Sequence, residues 1–475
     1  MLQFPLFLDQ SDGPLYQQLY RALAHQIRCG TLPAGTRLPG KRTLSGELGI
    51  SVNTVDTAYQ MLAAEGYVES RPRSGFVVLP FTQEFPTPPT SPAPNTAPQT
   101  PPEKSWKFDL RTGSVDTDLF PFRTWGRIQK ELLYSSPQLL TYGTPQGDEN
   151  LRAALSHYLA AYRGVQCPPD QIVVGAGLEY LLGLLAPLLD GVCAVEDPGY
   201  GSTRHILENS GLPCCAVPVD KYGLSAQALE QSGANLCYIT PSHQFPTGVT
   251  MSAPRRAALL SWAAQSPDRY LLEDDFDAEF RFDQKPLPSL QGMAGSDGSV
   301  VYLSTVSRSL APSIRLAYMV LPQKLLPRWK SRYGSYANTV SRFEQQTFCR
   351  FIEDGYFTRH LARTRNTCKH RRDALVSALQ SAFGKNAIRL SGIHTGLHLL
   401  LTLPNGPDEE TMVCTAAAAG VRLTGLSSYY HTDPSQCPAH TVVLGYGSLS
   451  ESAAPALAAL LKEAWSQPSV SSLNS

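Results

Sequence analysis

Residues Ser304–Tyr318 read STVSRSLAPSIRLAY. Four apolar residues, Val300–Leu303, lead into them, and a further apolar run, Met319–Leu321, follows. A short apolar run that gives way to hydroxyls and arginines has the pattern of a buried strand with a polar carboxyl end. The pattern recurs upstream. QIVVGAGLEYLLGLLAPLL (171–189) reads as a strand, a glycine turn and an apolar helix, and GVCAVEDPGYGSTRHIL (191–207) as strand, turn and helix again. ANLCYITPSHQFPTG (234–248) is a strand and a loop, and RYLLEDDFDAEFRF (269–282) is an apolar run ending in acids. Strands alternating with helices, polar at their ends, predict a mostly parallel α/β sheet with its ligand site at the carboxyl edge.

The chain has 475 residues, which implies more than one domain. Forty basic and forty acidic side chains cancel. No apolar run is long enough to span a bilayer, and the N-terminus lacks a basic, then apolar, leader. The ten cysteines show no CxxC or metal-ligand spacing, so reduced thiols in a cytoplasmic protein are expected. One boundary is plain: PTPPTSPAPNTAPQTPP (86–102) holds eight prolines in seventeen residues. Such a stretch builds neither helix nor core, and as polyproline II it spans roughly 50 Å. The expected layout is a small domain at 11–80, a Pro-rich linker at 81–105, a large domain at 106–465 and a disordered tail at 466–475.

In the small domain, Leu15, Leu19, Leu23 and Ile27 fall on one helical stripe. KRTLSGELG (41–49) is a short helix closed by Gly49, and SVNTVDTAYQMLAAEG (51–66) is a longer one, capped by Ser51 and stopped by Gly66. YVESRPRSGFVVLP (67–80) reads as two strands around a basic turn. Helix, short helix, longer helix and basic hairpin predict a winged helix-turn-helix, α+β and mostly α, which binds double-stranded DNA. Arg37, Lys41 and Arg42 are placed to meet phosphate before and on the supporting helix, and Arg71 and Arg73 at the wing. Ser51, Asn53, Thr54 and Thr57 lie near the start of the recognition helix, where base edges are reached. Bulk charge is silent here, since the first 80 residues carry seven basic and six acidic side chains.

The segment AGTRLPGKRTLSGELGISVNTVDTAYQMLAAEGYVESRPRSGFVV (34–78) resembles the GntR-type DNA-binding domain over nearly its full length. Two positions depart from that pattern. Gly40 stands where a serine cap is usual, and Val52 where an arginine often follows the serine. Beyond the linker, LFPF..W, Y..P.G...LR, EDPGY, TPSHQFPTG, EDDFD.EFR and S..S.SLAPS.RL fall in the order of a fold-type I, pyridoxal-phosphate-dependent aminotransferase. The whole chain is similar to MocR/GabR-type transcriptional regulators.

That resemblance implies a set of cofactor contacts. Asp274 would pair with the pyridine nitrogen and keep the ring an electron sink. Backbone N–H groups at Gly175, Ala176 and Gly177, the hydroxyls of Ser304, Thr305 and Ser307, and the cation of Arg315 would hold the phosphate. Tyr200 would stack on the ring. The lysine that bonds covalently to the cofactor is replaced by Arg308, whose delocalised, always protonated guanidinium is no amine nucleophile. Phe276 replaces a tyrosine whose hydroxyl meets the ring oxygen. Ser428 stands where some relatives place a basic residue for a substrate carboxylate.

The resemblance therefore implies a DNA-binding regulator with no catalytic residue and no metal. Its aminotransferase-like domain would sense a small effector and form a head-to-tail homodimer. Pyridoxal phosphate would be held without a covalent bond, arrive already joined to an amino acid, or be absent. A ligand-independent DNA-binding dimer and an active aminotransferase are the alternatives.

Overall fold

A computed structural model describes residues 13–72, 74–80, 105–283 and 287–466. Arg73, linker residues 81–104 and tail residues 467–475 lie outside the described residues. The chain divides into two compact units, Met1–Glu103 and Lys104–Ser475.

In the first unit, α1 (Leu15–Arg28), α2 (Lys41–Leu48) and α3 (Val52–Ala64) precede a hairpin of β1 (Val68–Arg71) and β2 (Gly75–Val78). The stripe predicted on α1 is inward, with Leu19, Leu23, Ala24 and Ile27 buried, and Leu15 only half-buried at the helix start. Val55, Ala58, Tyr59 and Leu62 form the inner face of α3. The Thr54 N–H donates to the Ser51 hydroxyl at 3.1 Å, which satisfies one of the orphan donors of a helix start. Gly49 closes α2 at φ +64°, a conformation that only glycine adopts without strain. The Tyr59 hydroxyl donates to the Pro39 carbonyl at 2.9 Å, and its ring lies edge-on to Phe76 at 5.0 Å. That one side chain ties the buried face of α3 to both the turn before α2 and the wing.

The second unit opens with β3 (Phe108–Asp109), α4 (Phe122–Ser135) and α5 (Glu149–Arg163). There follow β4 (Ile172–Gly175), α6 (Leu178–Leu185), β5 (Cys193–Asp197), β6 (Cys214–Asp220), β7 (Gly223–Leu224), β8 (Leu236–Ile239), β9 (Tyr270–Asp274), β10 (Val300–Thr305) and β11 (Ala317–Val320). They form an eight-stranded sheet in the order β4-β11-β10-β9-β8-β5-β6-β7. The pairs from β10 through β9, β8 and β5 to β6 are parallel, whereas β11 runs antiparallel between β10 and β4. Ser304–Tyr318 thus joins the end of β10 to the start of β11, with the segment 306–316 crossing the carboxyl edge between them. Buried side chains cover both faces, with Leu181, Leu185 and Trp329 on one and Leu155, Leu159 and Phe348 on the other. This double burial is why the strands read as continuous apolar runs.

There follow β12 (Arg389–Ser391), β13 (His398–Thr402), β14 (Val421–Arg422), β15 (Thr424–Gly425) and β16 (Thr441–Gly445), of which all but β14 form a smaller sheet. Its order is β12-β13-β16-β15, while β14 pairs with β3. The helix Tyr356–Phe383 and the last helix, Ala454–Ser466, pack with it around Leu375, Leu399, Leu444 and Leu461.

Candidate ligand cavity and nucleic-acid interface

Because β4, β5, β8, β9 and β10 run the same way, their carboxyl ends meet at one edge. A cavity of about 240 Å³ opens there. Of the residues singled out in sequence, Tyr200, Asp274, Phe276, Thr305, Ser307, Arg308 and Arg315 line it. Thr112, Gly113, Leu178, Glu179, Thr240, Phe245 and Pro312 complete the wall. Among the described residues the lining includes two arginines and no lysine.

Asp274 closes β9 and is buried. The Tyr238 hydroxyl, one strand away on β8, donates to its Oδ2, while Oδ1 has no partner among the described residues. Burial pushes the Asp274 carboxyl up to about 7; the Tyr238 bond pulls the other way, and the carboxylates of Asp275 and Asp277 add to the rise. The folded state therefore holds a proton that the unfolded chain releases near its ordinary 3.8. Stability from this group is complete below that value and is lost as the pH rises through about 7. Asp274→Asn removes the cost of the buried charge. Denaturant unfolding of the ligand-free protein should show the variant gaining on wild type at pH 8, with the gain shrinking toward pH 4.5. A gain that does not change with pH would rule this out.

Arg308 sits in the segment between β10 and β11. Among the described residues its guanidinium makes no hydrogen bond or ion pair. Burial draws its pKa down, while Asp277, Tyr200 and Tyr429 oppose the shift, and the group stays cationic. Behind it lies a water-sized void of about 20 Å³ that Arg308 also lines. Phe276 lies beyond the end of β9, yet its ring still reaches the cavity, 6.4 Å from Phe245. Tyr200 is 48% exposed and meets Phe245 edge-on at 5.6 Å. Ser428 lies outside the cavity wall and donates to the Gly425 carbonyl at 2.8 Å.

The expected phosphate cradle needs correcting at several positions. Ser304 is buried and points away from the cavity, donating to the Asp275 carbonyl at 3.3 Å. Successive side chains on a strand face opposite ways, so Ser304 and Thr305 cannot both serve. The Ala176 N–H is taken by the Thr339 hydroxyl at 3.2 Å, and the Gly177 N–H by the Gly175 carbonyl at 2.9 Å. Gly175 is spent on the sheet, paired with Ala317. Gly177 matters through its missing side chain: at φ +101°, a Cβ would stand 2.2 Å from the Arg315 guanidinium. Thr305 and Ser307 do face the cavity, with their hydroxyls 2.8 Å apart.

Glu179, in the first turn of α6, was not anticipated. It takes a hydrogen bond from Arg315 at 2.7 Å. Burial raises its pKa, but Arg315 and its own backbone N–H outweigh this and hold the carboxyl below its ordinary range. A carboxylate thus stands where an anionic ligand would meet the helix start and the cation. Under this floor lies a buried pair. Asp275 accepts from Arg163 Nε at 2.6 Å and Nη2 at 3.0 Å, and from the Tyr302 hydroxyl at 2.7 Å.

In the first unit, Arg37, Arg42, Ser51, Asn53, Thr57 and Arg71 are exposed and Thr54 is half-buried. Lys41 pairs with Asp56 of α3, and Arg71 with Glu69 at 2.8 Å, so neither cation is uncommitted. The Ser51 and Thr54 hydroxyls bond each other at 2.8 Å. Thr57 donates to the Asn53 carbonyl at 2.9 Å. Among the described residues no His, Cys, Asp and Glu cluster could hold a metal, and no helix is long and apolar enough to cross a membrane.

A winged helix-turn-helix joined to a large α/β unit with a carboxyl-edge cavity defines a regulator with an enzyme-derived domain. Residues 15–78 match the gntR family of bacterial regulatory proteins, and residues 106–407 match aminotransferase class I and II. The chain is 38% identical to the HTH-type transcriptional regulator YhdI of Bacillus subtilis, across 98% of this chain and 99% of that one. It is 32% identical to the probable rhizopine catabolism regulatory protein MocR of Rhizobium meliloti, across 94% and 92% of the two chains. The kynurenine aminotransferase of Pyrococcus horikoshii shares the fold at a TM-score of 0.67 and 24% identity, covering 76% of this chain and 91% of that one. The chain belongs to the MocR-type transcriptional regulators of the gntR family. It is a DNA-binding regulator with an aminotransferase-like domain.

Proposed function

We propose that the large unit is a sensor that holds a small anionic ligand without a covalent bond, and that occupancy changes how the protein binds DNA. The observation that carries this reading is, among the described residues, an Arg308 guanidinium without a partner, lining a cavity that also contains an unpartnered Asp274 oxygen and no lysine. A buried polar atom and a cation left without partners favour a ligand that supplies both.

Pyridoxal phosphate fits this wall apart from its usual anchor. When bound, it supplies an electron sink for amino-group chemistry. Asp274 is suited to hold a ring-nitrogen proton, Tyr200 to cover a ring, and Thr305, Ser307 and Arg315 to hold a phosphate once Glu179 yields. Arg308 can hold a carboxylate or phosphate bidentately but cannot shuttle a proton between carbons at neutral pH. Binding without transamination follows. Phe122, Leu133, Tyr134, Leu140 and Tyr142 are exposed apolar groups on α4 and the segment after it, which supports homodimerisation through this face. A regulator acting on DNA belongs in the cytoplasm. A second reading, a ligand-independent DNA-binding dimer, draws on the Glu179–Arg315 pair, which would also satisfy a permanently empty cradle.

Equilibrium dialysis with pyridoxal phosphate tests the proposal. Wild type should bind saturably and show no gain in intact mass after borohydride. Glu179→Gln should bind roughly fivefold tighter, since a like charge screened by water, as at this half-exposed side chain, costs on the order of 1 kcal/mol. No saturable binding by either protein would remove pyridoxal phosphate as the ligand.

A further inference from the structure

The helix that reads DNA carries an unusual set of outward groups. Val52 stands at the helix start, on the border of the buried face. At 3.6 residues per turn, Asn53, Asp56, Thr57 and Gln60 share the side of α3 opposite its buried Val55, Ala58, Tyr59 and Leu62. No lysine or arginine lies on that side. Most of its polar groups are already committed. Thr57 bonds back to the Asn53 carbonyl, and Asp56 is held by Lys41 and by Gln60. The Ser51 and Thr54 hydroxyls, at the helix start, satisfy each other.

Two neighbouring side chains remain. Among the described residues the Asn53 carboxamide has no hydrogen-bond partner, and it is exposed. Val52, the first residue of the helix, is an apolar side chain left 41% exposed. The major-groove edges of the bases discriminate between such groups. Guanine presents two acceptors, N7 and O6, and is matched by arginine or lysine; adenine presents an acceptor and a donor, N7 and N6, and is matched by a carboxamide. Thymine alone among the unmodified bases presents a methyl group. The carboxylate of Asp56, an acceptor only, meets the guanine edge unfavourably.

We infer that α3 reads an A·T core in each half-site, with Asn53 pairing to an adenine edge and Val52 packing against a thymine methyl, and makes no guanine contact. The arginines outside the helix, Arg37 and Arg42 among them, then supply affinity through phosphate without adding to the sequence code. Asn53 and Val52 are the specificity-determining pair.

The test is selection from a randomised duplex library with the full-length protein, repeated with Asn53→Ala, Val52→Arg and Val52→Ala. Both positions are exposed, so the variants should keep the wild-type circular dichroism. Wild type should enrich half-sites with an adenine whose preference, roughly 5- to 150-fold, is lost in Asn53→Ala. Val52→Arg should create a guanine preference at a nearby position. Replacing the contacted thymine by uracil removes one methyl and should weaken wild type roughly fourfold, with no effect on Val52→Ala. The inference is overturned if base preferences are the same in wild type and both Asn53→Ala and Val52→Arg, or if the wild-type preference that Asn53→Ala abolishes is for guanine. Enrichment of no sequence at all would overturn it equally.

Discussion

Arg308→Lys should turn yellow with pyridoxal phosphate, and borohydride should fix the cofactor to residue 308, while wild type does neither. The difference is all-or-none because it is chemical rather than energetic. A guanidinium delocalises its nitrogen lone pairs and stays protonated, whereas a lysine drawn into a half-buried wall has its pKa lowered toward the neutral amine that attacks a carbonyl. Folding should tolerate the exchange. Arg308 makes no hydrogen bond or ion pair among the described residues, and the shorter lysine leaves room beside a void that already holds about 20 Å³. Phe276 still lacks a hydroxyl, so attachment should return well ahead of turnover. Absorbance in the visible range and peptide mapping after reduction read the result. A variant that binds the cofactor yet stays colourless would show that residue 308 does not occupy the anchor position.

Asp275→Ala should be the most destabilising single change in the cavity region, at about 3–5 kcal/mol. Burial pushes the Asp275 carboxyl up, but Arg163, Ser242 and Tyr302 together hold it below its ordinary range. Truncation leaves Arg163, itself 5% exposed, as an uncompensated buried charge. Glu179→Ala makes the contrast. The Glu179–Arg315 pair has both side chains about half exposed, at 54% and 49%, and its loss should cost about 0–1 kcal/mol. Denaturant midpoints of the two variants compare them directly. Equal midpoints would mean that the buried pair contributes no more than the exposed one.

The sequence carried the small unit almost entirely, because each of its features is local. The Ser51 cap, the Gly49 stop and the α3 core stripe need only neighbours within a turn or two. Asp274, Thr305, Ser307, Arg308 and Arg315 also fell on the cavity wall, since a parallel sheet brings strand ends to one edge. What failed was a strand's twofold alternation left unapplied, as at Ser304, a tight turn that spends its own N–H, as at Gly177, or a partner far away in the chain. The Ala176 N–H is claimed by Thr339, and Asp275 by Arg163. No local pattern announces such pairs. Glu179 was missed for a different reason: a glutamate in the first turn of a helix reads as a favourable interaction with the helix dipole. Its placement between the helix start and Arg315 became visible only in three dimensions.

An occupied cavity should change how the protein binds DNA. The most direct measurement is the affinity of the full-length protein for an enriched duplex, at fixed salt, with and without saturating pyridoxal phosphate, in wild type and Asp274→Asn. The expected result is a ligand-dependent shift in wild type that shrinks in the variant, since a ligand moves an equilibrium only by its differential affinity for the two states. An affinity that pyridoxal phosphate leaves unchanged in wild type, although dialysis shows it bound, would contradict the account.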